Sequence, residues 1–441
     1  MRSIHTPRAS ALTAIALTGA LALTACGGSE AAAPSGSADV AAGDFSGETL
    51  TYWSFWQEKE PQAQAIAAAI DDFEEATGAT VEVEWQGRQM TQKLAPAMRS
   101  NAPDVVEAAL DNLAPIVGDG QGEDLSSVFG ATSINEQTPL SDTGVGKYKD
   151  LVTNDDGAAW LVPYSVLGMG IWYDAAEHKD LADNAPKSLD DLAALIKQEG
   201  KGSVALDGDV GFYTTLWVES ILMRELGPEK FRSIVEDKTG EAWKADDVVA
   251  ALEKVTKVVP PEAFAAGSFG SKFPAIQEGW ASGKSAFLLN GSWIPQETAT
   301  SVGKDFTFAS LEIPVGSTGE ANTQIGLTGY AVPAKAENKD LAKAFIRFVL
   351  EKKYQEDYVK KASALSTRDD VSVPADLEAL ADSIAQSEPV LVMDGVNVDY
   401  AGIVPEVFAA PVRNFLSGNT DAKGFANEIS ATQANYWKGQ G

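Results

Sequence analysis

The sequence predicts an α/β protein with two domains, and two observations carry that prediction. Strand-like and helix-like patterns alternate along the chain, which is typical of sheets covered by helices. The chain has 441 residues, and removing positions 1–25, which are interpreted below as a leader, leaves 416. That length is too great for one compact core and natural for two.

The N-terminal residues 1–25 predict a secretory signal peptide. Arg2 and Arg8 form a short basic leader, and no charged residue follows from Ala9 to Ala25. The stretch Leu23-Thr24-Ala25-Cys26 resembles the bacterial lipobox, in which the cysteine sulfur is lipidated and the chain is cut before it. Cys26 is the one cysteine of the sequence, so it cannot form an internal disulfide or a cysteine metal cluster. Two or more acyl chains on it would anchor the protein stably in a membrane.

Residues 26–47 predict a flexible tether, because they are mostly Gly, Ser, Ala and Pro with scattered acids. The leader carries two arginines and no acids, so its removal changes the net charge from −29 to −31. Such a chain is repelled by phosphate backbones and anionic lipid heads. We therefore expect no nucleic-acid partner, and contact with the membrane through the lipid anchor alone.

The first half of the mature chain predicts one half of a doubly wound sheet. Three strands alternate with two helices, and the first helix opens with a proline and ends at a glycine. These elements are predicted at Leu50–Trp53, Pro61–Gly78, Val81–Trp85, Met90–Met98 and Pro103–Val106.

A second block begins near Trp160–Tyr164. Ser188 and Asp191 form a capping box for a helix that ends at Gly200. Further on, Asp340 precedes apolar residues at helical spacing, which predicts an amphipathic helix. The sequence has no internal repeat and no single linker between the halves, as expected if several strands cross between two lobes.

Six segments in order resemble the carbohydrate-binding lipoproteins of ABC importers, the maltose-binding-like group. The segment Gly279–Trp293, GWASGKSAFLLNGSW, is the most diagnostic of them. The other five are Trp53–Trp56, Lys93–Val105, Val162–Asp174, Pro186–Leu192, and Gly329–Pro333 with the helix of Asn338–Leu350.

The resemblance implies the periplasmic-binding-protein-like fold. It has two α/β lobes, each with a mostly parallel sheet flanked by helices, joined by hinge strands around a ligand cleft. Mapped onto this chain, lobe 1 comprises residues 48–160 and 312–354, and lobe 2 comprises residues 161–311 and 355–441.

A sugar-binding site needs aromatic planes for the C–H faces of the ring and planar polar groups for its hydroxyls. Ligands of open α/β sheets bind beyond the carboxyl ends of strands, where the first lobe offers Trp56, Glu58, Arg88, Asp111 and Asn112. Asp111 also matches a position where the family often places a ligand-binding acid. Alternatives remain open: Trp56 could pack in the core, Arg88 could be solvated, and Asp111 could cap a helix.

In the second lobe, the strongest candidate is Trp293 of the Gly291-Ser292-Trp293 turn, where the resemblance implies a stacking aromatic residue. Gly291 would let backbone approach the ligand. Trp217 with Glu219 follows, although an aromatic residue on an amphipathic helix is more often core. The resemblance adds Tyr164, Tyr330 and Arg368. Five other tryptophans are interpreted as packing residues, namely Trp160, Trp172, Trp243, Trp280 and Trp437.

The sequence argues against an enzyme and against cofactors or metals. His5 lies in the leader, and His178 in a charged turn is the other histidine, so a Ser-His-Asp triad or a His-rich metal site lacks its residues. No phosphate-binding glycine loop is present. A glycoside hydrolase with two carboxylates stays open, as do a same-fold receptor for a peptide or polyamine and a surface adhesin.

The sequence therefore predicts an extracytoplasmic, membrane-anchored and monomeric receptor. It would capture a sugar by closing its lobes and deliver that sugar to an ABC permease.

Overall fold

The computed structural model describes residues 45–117, 121–319 and 322–440. The predicted signal peptide, Cys26 and most of the tether lie outside these residues. Among the described helices, none combines the length and the apolar character needed to cross a bilayer.

The described residues contain a mixed sheet. Its strands are β1 (Thr49–Ser54), β2 (Thr80–Trp85), β3 (Val105–Ala109), β4 (Val162–Asp174), β5 (Val204–Ala205), β6 (Phe287–Gly291), β7 (Phe308–Leu311), β8 (Asn322–Ala331), β9 (Leu365–Ser366) and β10 (Glu388–Leu391). The strand order is β2-β1-β3-β8-β4-β6-β5, with β10 beside β8 and with β7 and β9 beside β4.

Helices cover this sheet. They are α1 (Pro61–Thr77), α2 (Met90–Ser100), α3 (Ala114–Val117), α4 (Ser126–Phe129), α5 (Leu189–Glu199), α6 (Gly211–Leu226), α7 (Pro228–Glu236), α8 (Asp246–Val258), α9 (Ala275–Ala281), α10 (Ile294–Thr298), α11 (Lys339–Val349), α12 (Lys352–Ala362), α13 (Glu378–Gln386), α14 (Val396–Asp399), α15 (Ala409–Leu416) and α16 (Ala422–Gly439). The predicted β-α-β-α-β order of the N-terminal half is confirmed as β1-α1-β2-α2-β3.

Local sequence signals explain several helix ends. Pro61 occupies the first turn of α1, and Gly78 closes that helix in the left-handed conformation, with φ of 71°. The Ser188 side chain accepts a hydrogen bond from the Asp191 backbone N–H at the start of α5. α11 buries an apolar face that includes Leu341, Phe345 and Phe348.

Most parallel pairings lie among the outer strands, and the central strands pair antiparallel, apart from β10, which pairs in parallel with the central strand β8. β1 pairs in parallel with both β2 and β3, and β5 pairs in parallel with β6. The long strands β4 and β8 pair antiparallel with each other, and β8 also pairs antiparallel with β3. Two short parallel sheets are therefore joined by two long antiparallel strands.

β4 takes part in both halves of the sheet. Its residues 162–168 pair with β8, and its residues 169–174 pair with β6 and β7. The partner changes at Gly168, where a Cβ atom would lie 2.9 Å from the Leu380 and Ile384 side chains. A side chain at this position would force those neighbours apart.

Two hydrophobic clusters form the cores. The first is built on β1, β2, β3, α1 and α11, and the second on α6, α8, α15 and α16. The predicted two-lobed α/β fold class is confirmed. The lobe borders stay a prediction, because the first cluster also contains Trp280 and Leu288 of the predicted lobe 2.

Candidate functional site

A cleft of about 680 Å³ lies where β4 changes partner. Leu167 and Met169, on either side of Gly168, line it together with residues 325–328 of β8. Its volume is within the range of small-molecule sites.

The first wall of the cleft is built by the ends of three parallel strands. Trp56 follows β1, Arg88 follows β2, and Asp111 with Asn112 follows β3; all four side chains line the cleft. Because parallel strands end at the same edge of a sheet, residues far apart in sequence meet here.

Arg88 braces this wall. Its guanidinium forms an ion pair with Glu60 at 3.0 Å and donates a hydrogen bond to the Phe55 carbonyl oxygen. It also lies over the rings of Phe55 and Trp56, 4.3 Å and 5.0 Å from their centroids. The positive charge of Arg88 therefore interacts both with the Glu60 carboxylate and with the faces of two aromatic rings.

Glu107, inside β3, lies next to Trp56 and is fully buried. Its carboxylate accepts hydrogen bonds from the Trp56 indole N–H at 2.8 Å, the Tyr164 hydroxyl at 2.5 Å and the Ser54 hydroxyl at 2.6 Å. The Tyr52 hydroxyl donates a fourth. Burial raises the pKa of Glu107 because it disfavours the charged form, although the four donors oppose that shift.

The second wall is aromatic and follows β6. Trp293 comes two residues after Gly291, the end of β6, and lies nearly parallel to Tyr213 of α6, with 24° between the planes and 6.4 Å between the centroids. A Cβ atom on Gly291 would overlap the Trp293 ring. Gly291 therefore makes room for the indole and is not itself among the residues that line the cleft.

Carboxylates face the cleft from both walls. Burial raises the pKa of Asp111, although the backbone N–H groups of Asp111 and Asn112 oppose the shift. Burial also raises the pKa of Glu297 in α10, whose carboxylate accepts a hydrogen bond from Gln277 at 2.9 Å. The surrounding walls shield each carboxylate from bulk water, but each keeps a solvent-exposed part within the cleft, so both can receive hydrogen bonds from a ligand.

The structure brings five of the predicted site residues together and separates the others from them. Trp56, Arg88, Asp111, Asn112 and Trp293 line the cleft. Glu58 is exposed outside its lining. Five more predicted residues are buried and do not line it, namely Tyr164, Trp217, Glu219, Tyr330 and Arg368.

Each buried residue has a packing reason for its position. Tyr164 and Tyr330 lie against each other with centroids 5.0 Å apart, and Tyr164 also bonds Glu107. Trp217 packs edge-on against Phe264 in the second cluster. These residues therefore contribute to the scaffold around the cleft.

The two buried charges have partners of their own. Glu219 accepts a hydrogen bond from Gln324 of β8 at 2.6 Å, and burial raises the pKa of Glu219 to about 8. Arg368 pairs with Glu136 and Asp370 and donates a hydrogen bond to the Leu350 carbonyl oxygen at 2.9 Å. Both side chains therefore tie structural elements together.

Sequence reasoning missed Glu107, Tyr213 and Glu297. A signal existed for Glu107, because a charged residue within the otherwise apolar strand VVEAA needs buried partners. Tyr213 lies about one turn before Trp217 on the same face of α6. Only Tyr213, in the first turn of the helix, lines the cleft. Glu297 follows the Trp293 turn in a short helix that had not been predicted.

Within the described residues, no group of three or more His, Cys, Asp or Glu side chains is placed to hold a metal ion. The residues that line the cleft offer aromatic faces, carboxylates and amides to a ligand.

Comparison with known proteins places the chain in a family. A model of bacterial extracellular solute-binding proteins matches residues 68–384. The diacetylchitobiose-binding protein DasA of Streptomyces coelicolor is 24% identical over 97% of both chains. A maltooligosaccharide ABC transporter solute-binding lipoprotein of Streptococcus pneumoniae is 23% identical over 74% of this chain and 75% of its own.

Solved structures agree on the fold. RafE of Streptococcus pneumoniae, in its apo form, superposes with a TM-score of 0.71 at 16% identity and covers 88% of this chain and 98% of its own. A chitin oligosaccharide binding protein gives a TM-score of 0.69 at 18% identity and covers 89% of this chain and all of its own. The family match spans most of the chain and includes β4 and β8, the two strands that connect the halves of the sheet. The chain belongs to the bacterial extracellular solute-binding proteins.

Proposed function

We propose that this protein captures a sugar or oligosaccharide in the cleft and delivers it to the permease of an ABC importer. The observation that carries the proposal is the convergence of aromatic and carboxylate side chains from two walls on one cleft. Trp56 and Asp111 come from the first wall, and Tyr213, Trp293 and Glu297 from the second. This combination fits the C–H faces and the hydroxyls of a sugar ring.

Capture would proceed by closure of the two lobes around the ligand. β4 and β8 connect the two halves of the sheet, so small backbone rotations in these strands would move one wall toward the other. A ligand that contacts both walls stabilises the closed form more than the open form and shifts the population toward it.

The names of related proteins support a sugar ligand. DasA is described as binding diacetylchitobiose, the pneumococcal lipoprotein as binding maltooligosaccharides, and RafE was also solved with raffinose. These three sugars form a natural first panel for this chain.

We also propose that the receptor is a monomer anchored by a lipid on Cys26 at the extracytoplasmic face of the cell membrane. The lipobox-like sequence and the lipoprotein relative support this location. Replacing Cys26 with Ser should release the protein from the membrane fraction, and retention of the variant there would contradict the anchor.

The direct test is calorimetric titration of the protein with N,N′-diacetylchitobiose, maltotriose and raffinose. We expect saturable binding of at least one of them, with compaction measured by small-angle scattering at saturation. Absence of binding across this panel and a wider set of neutral oligosaccharides would contradict a sugar receptor.

A second candidate is a receptor for a polyamine. Asp111 and Glu297 are cleft carboxylates outside the Arg88–Glu60 ion pair, and aromatic faces attract cations. Spermidine therefore belongs in the titration series. Binding of spermidine with no binding of sugars would replace the first candidate with the second.

We propose that the bound sugar leaves unchanged. Incubation with each oligosaccharide, followed by chromatography, should recover the intact compound. Release of shorter sugars would instead identify a glycoside hydrolase.

A further inference from the structure

We propose that Glu107 is a positioning residue that holds the indole of Trp56 in the orientation needed to stack on a sugar. The proposal rests on the sugar-binding function proposed above, and it assigns a role to a buried side chain that does not line the cleft. Trp56 would contact the ligand, and Glu107 would act through Trp56.

The geometry around the carboxylate carries this inference. The Oε1 atom of Glu107 accepts hydrogen bonds from the Trp56 indole N–H and from the Tyr164 hydroxyl. The indole nitrogen of Trp56 also lies 3.0 Å from the Tyr164 hydroxyl oxygen. The Oε2 atom accepts the hydroxyls of Ser54 and Tyr52. The network thus joins β1, β3 and β4 to the residue that follows β1.

Packing alone does not require a carboxylate at this position. β3 is otherwise apolar, with Val105, Val106 and Ala108 fully buried. Burying a carboxylate is costly, and no Lys, Arg or His side chain is among the hydrogen-bond partners described for Glu107. What the carboxylate provides here is two acceptor oxygens that hold four donors in place, one of which belongs to a cleft-lining aromatic residue.

The orientation of Trp56 matters because the side chain is half-buried. One edge of the indole is fixed in the protein by its N–H, and part of the ring is accessible to a ligand. Without that bond the ring would sample other rotamers, and binding would have to order it again. Fixing the ring in advance raises affinity without adding a contact to the sugar.

The first arm of the test needs no ligand. The indole N–H signal of Trp56 can be assigned in a ¹⁵N-labelled spectrum as the signal lost in Trp56→Phe. We expect slow hydrogen exchange at this signal in the wild type, and at least ten-fold faster exchange in Glu107→Leu. The isosteric Glu107→Gln variant, which keeps one acceptor oxygen, should lie between the two and is available if the Leu variant fails to fold. Unchanged exchange in both variants would overturn the proposal.

The second arm is a double-mutant cycle on affinity for whichever of N,N′-diacetylchitobiose, maltotriose and raffinose binds the wild type. Glu107→Gln should weaken binding about three-fold in the wild-type background and less than 1.5-fold (about 0.2 kcal/mol) in Trp56→Phe, since residues that act as a unit are not additive. Equal losses in both backgrounds would show that Glu107 acts independently of Trp56 and would overturn the proposal.

Glu351→Gln is the matched control. Glu351 is also buried and also accepts hydrogen bonds from neutral donors, from Ser133 and from both the backbone and side chain of Asn135, but it does not line the cleft. Its variant should lower the melting temperature and leave affinity unchanged. An equal loss of affinity in Glu351→Gln would mean that general destabilisation explains the effect of Glu107→Gln, and would overturn the proposal.

The two arms keep the proposals separate. If no sugar binds the wild type, the proposed function fails, and the exchange of the Trp56 indole N–H still decides whether Glu107 fixes that ring.

Discussion

The two walls of the cleft present the same kind of side chain but hold it by different means. Trp56 is held by hydrogen bonds from its indole N–H to the buried Glu107 and to Tyr164. Trp293 is held by packing, with its ring over Gly291 and beside Tyr213. Among the described residues, the buried indole nitrogen of Trp293 has no hydrogen-bond partner. Burial raises the pKa of the neighbouring Tyr213, although its interaction with Trp293 opposes that shift.

The difference teaches that an aromatic platform can be fixed electrostatically or sterically. The first kind depends on the ionisation of a buried carboxylate. The second depends on the absence of a side chain at one backbone position. Substitutions and pH should therefore affect the two walls differently.

Truncating either platform should have the largest effect on affinity. Trp293→Ala and Trp56→Ala should each weaken sugar binding ten-fold or more, which corresponds to at least about 1.4 kcal/mol. For Trp293→Ala the free energy of unfolding should change by less than about 2 kcal/mol, as is usual for partly exposed positions. Calorimetry and thermal melts measure both quantities. Unchanged affinity in either variant would remove that tryptophan from the site.

Replacing each tryptophan with phenylalanine separates the two ways of holding the ring. Trp56→Phe removes the N–H that Glu107 accepts, so we expect it to destabilise the fold by about 1–2 kcal/mol. Trp293→Phe should cost less than about 1 kcal/mol, because no strong hydrogen bond is lost. Denaturant unfolding of the matched pair is the measurement, and equal losses would contradict the comparison.

Gly291→Ala tests the steric wall by itself. The added methyl group would overlap the Trp293 ring and displace it. We expect affinity to fall about five-fold while the hydrogen exchange of the Trp56 indole N–H stays the same. Gly168→Ala is unsuitable as a control because its Cβ atom would also meet neighbouring side chains. Gly130→Ala is the matched control, because the backbone φ there is −85° and no atom lies within 4 Å of the Cβ position. Wild-type affinity in Gly291→Ala would show that the ring is not confined by this glycine.

Lowering the pH should have the smallest effect and should act on the electrostatic wall. Burial raises the pKa of Glu107 above its ordinary value. Protonation on lowering the pH toward that raised value removes acceptor capacity around Trp56, and affinity should fall about two-fold. The groups that face Glu107 are the hydroxyls of Tyr52 and Tyr164 and, through longer-range interactions, Tyr330 and Tyr358; burial raises the pKa of each tyrosine, so they stay neutral.

Stability should respond to Glu107 with the opposite sign. Because its folded-state pKa is raised, the native state binds more protons than the unfolded state between the ordinary and the raised pKa. The contribution of Glu107 to the free energy of unfolding is thus greatest below its unfolded pKa and is lost as the pH rises through its folded pKa.

The pKa values of Asp111 and Glu297 are also raised by burial. The dependence of affinity on pH is therefore to be measured in the double variant Asp111→Asn/Glu297→Gln as well. A decline that disappears in that variant would assign the pH effect to the cleft carboxylates rather than to Glu107.

Much of the fold could be predicted from sequence because local signals matched the tertiary structure. Pro61 and Gly78 bound α1, Ser188 caps α5, and alternation of strands and helices gave the parallel N-terminal sheet. The antiparallel pairing of β4 with β8 could not be predicted in this way, because it joins segments about 160 residues apart and depends on the packing of both lobes.

The sequence could predict the site residues that lie just beyond the ends of strands, because that position alone places a side chain at the edge of the sheet. Trp56, Arg88 and Asp111 follow strands whose ends meet, so their arrangement followed from the strand order. On α6 the choice between Tyr213 and Trp217 depends on how far the helix extends past the cleft, which composition does not reveal. For Arg368, a charged residue after a short strand was compatible with a ligand contact, and only the partners Glu136 and Asp370 show its scaffold role.

The central claim is that one sugar is held between the two aromatic walls, and a crystal structure of the protein with its tightest-binding oligosaccharide tests this most directly. The account predicts sugar carbon atoms within about 4 Å of the rings of both Trp56 and Trp293, with hydroxyls bonded to Asp111 or Glu297. A sugar bound outside this cleft, or one that contacts a single wall while the other stays solvent-filled, would contradict it.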